Sequence, residues 1–161
     1  MLAGQLSWHA DGSARPSAGA APQGALGRLD PHVNYGRLGI AAPVTGIEAR
    51  IAGLNLIPGQ PVLVLGTGEF TWPSFLLASA LAAAGHPTTM QATTRSPVHT
   101  GGAIGSVLRF ADNYSTGVPN FLYNAGPVQQ RRVVICHETP LGSVDRALVA
   151  ALDATCVEFG A

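Results

Sequence analysis

The chain has no lysine. That excludes Schiff-base chemistry on an ε-amine, a P-loop lysine and a lysine general base. Charge of either sign is scarce: charged residues make up 11 % of 161 residues, less than half the usual share. Nine basic and nine acidic residues cancel. A neutral chain offers no electrostatic footprint for DNA or RNA, so a nucleic-acid partner is not expected. It is also weakly protected against self-association, which leaves a homo-oligomer open. No apolar run approaches the roughly 18 residues of a membrane span. The N-terminus lacks a basic start followed by an apolar run, so no secretory signal is expected. There are two cysteines, Cys136 and Cys156, each inside an apolar run. They read as small core residues, and with no ligand spacing around them they predict no metal site. A cytoplasmic location fits this usage.

Apolar residues make up 47 %, enough for one core. Residues 1–27 are rich in Ala, Gly, Ser and Pro without a period and predict a flexible tail or linker. Residues 28–60 read as a lead-in segment with a short helix starting near Gly46. From 61 the pattern sharpens into an α/β domain. "PVLVLG" predicts a buried strand, "TWPSFLLASALAAAGH" a helix stopped at Gly85, and "PTTMQATT" a second strand. Strand, helix and strand make a βαβ unit and hence a mainly parallel sheet, a Rossmann-like three-layer arrangement. Residues 97–130 are dense in glycine, turn residues and aromatics and predict an irregular hood with a strand at "NFLYN". "RRVVICHE" predicts another buried strand, "SVDRALVAALDA" a helix with Ser143 as N-cap, and "TCVEFG" a closing strand. Tyr114, Phe121 and Tyr123 read as core residues rather than base-stacking platforms.

Ligands of open α/β sheets bind at the carboxyl ends of strands, where three turns of this chain collect polar groups. In "LGTGEF", Gly66, Thr67 and Gly68 allow close backbone approach, and Glu69 stands at a helix start that offers free amides to an anion. The same residues also fit a plain tight turn. In "HETPLGS", His137 and Glu138 leave a strand, while Thr139, Gly142 and Ser143 supply hydroxyls and amides for a phosphate. A polar loop capped by Ser143 fits equally. In "TTRS", Arg95 presents a planar fork suited to phosphate or carboxylate among Thr93, Thr94 and Ser96. An ion pair with Glu69 or Glu138 is the structural alternative.

The order of these strands and turns resembles the type I phosphoribosyltransferase fold over residues 60–161. That resemblance implies a pyrophosphate loop at "LGTGEFTW" and a ribose-phosphate loop at "VVICHETPLGS". In that fold a flexible hood covers the site. This chain departs from the pattern where His137 replaces one of two adjacent acids and Pro140 removes an amide. A closer resemblance is to the TRSP-domain family, carried by Thr94-Arg95-Ser96-Pro97, "LGTGEF", "FADNYSTGVPNFLYN" and "CHETP". The resemblance implies a bacterial domain C-terminal to a phosphoribosyltransferase domain, from stress operons of the tellurite-resistance type, with a nucleoside-like product. The chain has no room for that preceding domain, so a fragment, a separate partner or a lone descendant is expected.

The leading expectation is a domain that binds, and in one version transfers, a phosphorylated ribose or nucleotide beside a phosphoribosyltransferase. If it catalyses, Glu138 steadies ribose hydroxyls, Arg95 neutralises departing charge and His137 moves a proton. Glu69 then holds Mg²⁺ through water. Two alternatives stand beside it. One is a non-catalytic interaction module with an aromatic-rich surface. The other is an S-adenosylmethionine-dependent methyltransferase, suggested by "VLVLGTGEF" but lacking an acid at the end of the next strand.

Overall fold

The computed structural model describes residues 43–126 and 130–159. The predicted tail over 1–27, and the lead-in as far as residue 42, lie outside the described residues.

Two central strands set the architecture. Every residue of β1 (Val62–Gly66) is buried, as is all of β5 (Arg132–His137) after its first residue. Strands covered on both faces read as unbroken apolar runs, which is why "VLVLG" and "RVVICH" carry no alternation. They pair in parallel, Val62 opposite Arg132 through Gly66 opposite Cys136. On the far side of β1 lies β2 (Thr88–Ala92), also parallel. Its threonine-rich, half-exposed pattern suits an edge. On the far side of β5 lies parallel β6 (Ala154–Glu158), giving the order β2-β1-β5-β6.

Helices cover both faces. α2 (Trp72–Ala83) returns the chain from β1 to β2 and buries Leu77, Ala78 and Leu81 against Val62, Val64, Val134 and Cys136. Pro73 lies in its first turn, where a missing N–H costs nothing, and Gly85 follows its end at φ 92°. α1 (Ile47–Gly53) begins after Gly46, as expected, and adds Ile47 to the same face. The opposite face of the sheet, with Leu63, Leu65, Val133 and Ile135, is covered by Leu148 and Leu152 of α3 (Arg146–Leu152). Leu108, Phe110 and Leu122 of the hood complete that layer.

The hood is more regular than its composition suggests. β3 (Val107–Ala111) and β4 (Pro119–Tyr123) form an antiparallel pair, and Thr94 bridges to Phe121 so that the end of β2 joins them. The alternation of core-facing Leu108, Phe110 and Leu122 with half-buried neighbours is the period-2 signal that the many glycines obscured. Three expectations need correcting. Ser143 does not cap α3, because its hydroxyl is hydrogen-bonded to Thr139. Asp145 caps instead, accepting from Ala147 N at 2.8 Å, which moves the helix start to Arg146. Cys156 is only partly buried, since it sits on the edge strand, whereas Cys136 is fully inside. Phe121 and Tyr123 are half-buried and stack on each other at 6.3 Å, because they occupy the outward face of β4.

Asp145 also ties two layers together. Its second oxygen accepts from Ala111 N at 2.8 Å, so one buried carboxylate holds the start of α3 and the end of β3. Asp145→Ala is therefore expected to cost about 3 kcal/mol, a cap plus a charge-assisted hydrogen bond. Urea unfolding followed by circular dichroism should show a lower midpoint with an unchanged slope. Asp145→Asn, which keeps one acceptor, should lose less.

Candidate functional site

The strand order makes a crevice that the sequence alone does not show. β1 and β5 are neighbours, but their outgoing connections diverge. The chain leaves β1 over one face through α2 and leaves β5 over the other through α3. Adjacent parallel strands whose connections part to opposite faces leave a gap at their carboxyl ends, the topological switch point. The register puts the ends level: Gly66 is opposite both Ala92 and Cys136. The turns at 67–71, 93–97 and 138–145 therefore emerge on one rim.

Inside the rim the polar side chains are bonded to one another. Thr67 N donates to Cys136 O at 3.2 Å and Thr93 N to Gly66 O at 2.9 Å, extending the sheet ladder past both strand ends. Gly68 N donates to the Thr93 hydroxyl at 2.8 Å. Gly66 is required by packing rather than by a ligand. A Cβ there would collide with the Phe70 carbonyl oxygen and lie 2.9 Å from Ser74 Oγ. Gly68 and Gly142 have open space around them but φ of 59° and 82°, so they are needed for backbone conformation.

The second turn is equally occupied. His137 is fully buried, and its Nδ1 lies 2.7 Å from Thr139 O. A carbonyl only accepts, so Nδ1 carries the proton and Nε2 is a lone-pair acceptor. Nε2 is buried without a hydrogen-bond partner. Burial pushes the imidazole pKa down, partly opposed by the Thr139 carbonyl, which keeps the ring neutral near pH 7. Thr139 and Ser143 hydroxyls bond each other and are both fully buried. The start of α3 is already taken by the Asp145 carboxylate, which leaves little attraction there for a phosphate.

The hood supplies residues that the turn analysis missed. Asn113 Nδ2 donates to Thr139 Oγ1 at 2.8 Å and to Thr67 Oγ1 at 3.4 Å, so it spans the crevice from the β5 side to the β1 side. Tyr114, a core residue as expected, also donates its hydroxyl to Glu138 Oε1 at 2.8 Å. Asp112 folds the loop that presents them. It accepts from the amides of Tyr114, Thr116 and Val118 and from the Thr116 hydroxyl. Burial works to raise its pKa, but these four bonds outweigh it and hold the carboxyl below the usual aspartate value. The run "DNYSTG" carried a usable signal, since an Asp ahead of a Ser-Thr-Gly cluster favours such a side-chain-to-backbone turn.

On the outside of the rim stand Glu69, Ser96 and Gly142, exposed, and Gly68, Thr94, Arg95 and Glu138, half-buried. No hydrogen bond or ion pair engages Arg95 among the described residues, so the bridge to Glu69 or Glu138 is not formed there. Its loop is nonetheless held in place. The Tyr123 hydroxyl donates to Ser96 O at 2.9 Å and accepts from Val98 N at 2.6 Å. α2 begins beside this group with no side chain capping it and no acid in its first turn. Among the described residues no three His, Cys, Asp or Glu side chains gather to hold a metal ion, and no helix is long and apolar enough to cross a membrane.

The fold and the rim together define an α/β domain with a polar crevice between the ends of its two central parallel strands. The chain belongs to the TRSP domain family: the model described as "TRSP domain C terminus to PRTase_2" matches residues 36–152. Neither a curated protein nor a solved structure matches it.

The pH dependence of stability should show the buried histidine. The folded pKa of His137 lies below its unfolded value near 6.5, so acidification protonates the unfolded chain first. Stability is complete above that value and falls as the pH drops below it, by at most about 1.4 kcal/mol per pH unit for one proton. Asp112 acts in a lower window, its contribution being lost as the pH falls below about 3.8 and through its folded pKa. Urea midpoints from pH 7.5 to 5 should decline for the wild type. The decline should flatten in His137→Asn, whose amide can still donate to the Thr139 carbonyl.

Proposed function

We propose that this domain binds a phosphorylated ribose or nucleotide at the switch-point rim, as the partner of a phosphoribosyltransferase domain. The observation that carries this reading is the register that brings Thr67–Glu69, Arg95 and Glu138 from three strand ends to one rim. The uncapped start of α2 and the unengaged Arg95 guanidinium favour the phosphate on the β1 side. Acceptors dominate the β5 side, where Glu138 and the His137 lone pair suit sugar hydroxyls. The parallel order β2-β1-β5-β6 supports a doubly wound, phosphoribosyltransferase-like fold, and the family's description supports the partner. If the bound sugar phosphate reacts, Arg95 steadies the leaving charge, and His137 or Glu138 moves a proton. A magnesium ion would arrive with the phosphates, next to the Glu69 carboxylate. The setting implied is a bacterial stress pathway for a nucleoside-like metabolite.

A second reading, an interaction module, has its own support. Trp72 and Phe75 stack at 5.7 Å on the outer side of α2 and are 42 % and 50 % exposed. α1, through which the chain enters the described domain, packs against the same helix.

Thermal denaturation with ribose 5-phosphate, phosphoribosyl pyrophosphate, AMP, GMP and S-adenosylmethionine separates these readings. The phosphorylated sugars should stabilise the wild type, by about 2.7 kcal/mol at a hundredfold excess over Kd. Arg95→Ala should weaken that binding by roughly tenfold or more, the loss of one charge-assisted contact. Stabilisation by S-adenosylmethionine alone points to a methyltransferase. No response to any ligand, with Trp72→Ser abolishing self-association or partner binding, favours the interaction module.

A further inference from the structure

The crevice at the switch point is filled by the chain itself. Asn113 lies across it with its carboxamide on Thr67 and Thr139, and it is 6 % exposed. The Thr139 hydroxyl that receives its amide lies 3.4 Å from His137 Nδ1, so the buried imidazole belongs to the same cluster. His137 Nε2 has no partner, and the Thr67, Thr139 and Ser143 hydroxyls are satisfied by one another and by Asn113. His137 alternates along β5 with Cys136, so it shares the hood-side face with Val133 and Ile135. A buried imidazole nitrogen left without a partner costs about 1–3 kcal/mol.

The loop holding Asn113 is built as a separate unit. Residues 112–118 are organised around the Asp112 carboxylate, which bonds three amides of its own loop. Its side chains reach the rim through Asn113, on the two threonines, and through the Tyr114 hydroxyl, on Glu138. Beyond Tyr114 the loop is exposed from Ser115 to Val118, with Gly117 at φ 74°.

We infer that Asn113 is a displaceable stopper, and that the hydroxyl-bearing part of a ligand takes its place on Thr67, Thr139 and His137 Nε2. The groups uncovered are acceptors or neutral hydroxyls, with no cation among them, so the site beneath takes vicinal sugar hydroxyls and not a phosphate. The ligand half of this inference rests on the reading above. The stopper itself does not.

Diethylpyrocarbonate, which acylates neutral imidazole nitrogen, tests it on the full chain, with peptide mass spectrometry reading each of the five histidines separately. In the wild type His137 should react far more slowly than exposed His99. Asn113→Ala should accelerate His137 by about tenfold or more, as expected when a local opening step is removed. Ribose 5-phosphate should slow it again and should bind the variant more tightly than the wild type. Equal His137 rates in the two proteins overturn the stopper. Accelerated labelling with no protection by ribose 5-phosphate in either protein overturns the phosphoribose reading instead. Equal affinity for both proteins overturns the competition between Asn113 and the sugar. If Asn113→Ala does not fold, hydrogen exchange on the wild type decides the matter. The Tyr114, Thr116 and Val118 amides should exchange by local opening well ahead of the β5 amides, and exchange only with global unfolding overturns the inference.

Discussion

Burial of β1 and β5 on both faces is the constraint from which the rest follows. A strand that is apolar on each side must be covered twice, so its neighbours need helices or other layers above and below. Parallel pairing cannot be closed by a tight turn, so each central strand has to leave by a crossover. One crossover carries α2 over one face and the other carries α3 over the opposite face. The gap where they part comes from that division of labour. The polar turns stand around it because every other stretch of the two strands is needed for packing.

The rim then has to reconcile polarity with burial. Unpaired hydroxyls and carboxylates in such a place cost more than their bonds return, so they are bonded almost completely. Asp112 orders a loop, Asp145 joins a helix start to the hood, and Thr93 receives the amide of Gly68. The exceptions stand out against this background. His137 keeps a buried nitrogen without a partner, and Arg95 keeps its guanidinium unengaged among the described residues. At the rim, among the described residues, these two positions keep hydrogen-bonding capacity for something other than the chain itself.

Much of the framework was legible because it depends on short-range patterning. The runs 62–66 and 132–137 declare buried strands, and Pro73 and Gly85 mark the limits of α2. The hood was less legible, because a period of two over five residues is easily hidden by Gly, Asn and Pro on either side. Ser143 looked like a cap because its residue type suits one. Asp145, two positions later, won because its carboxylate serves α3 and β3 at once, a contact between residues 34 apart. Asn113 and Tyr114 read as turn and core residues, and nothing local says which loops they reach.

Residue order alone settled the alternation of strands and helices, the polar character of three turns, the scarcity of charge and the family strings around Thr94–Pro97. Those are properties of neighbouring residues and follow from periodicity, turn chemistry and composition. Which turns share a rim, that the Thr139 and Ser143 hydroxyls bond each other, and that Asn113 bridges Thr67 and Thr139 came only with the folded chain. Strand order and loop docking are set by contacts between distant segments, whose energies depend on packing that no local pattern encodes.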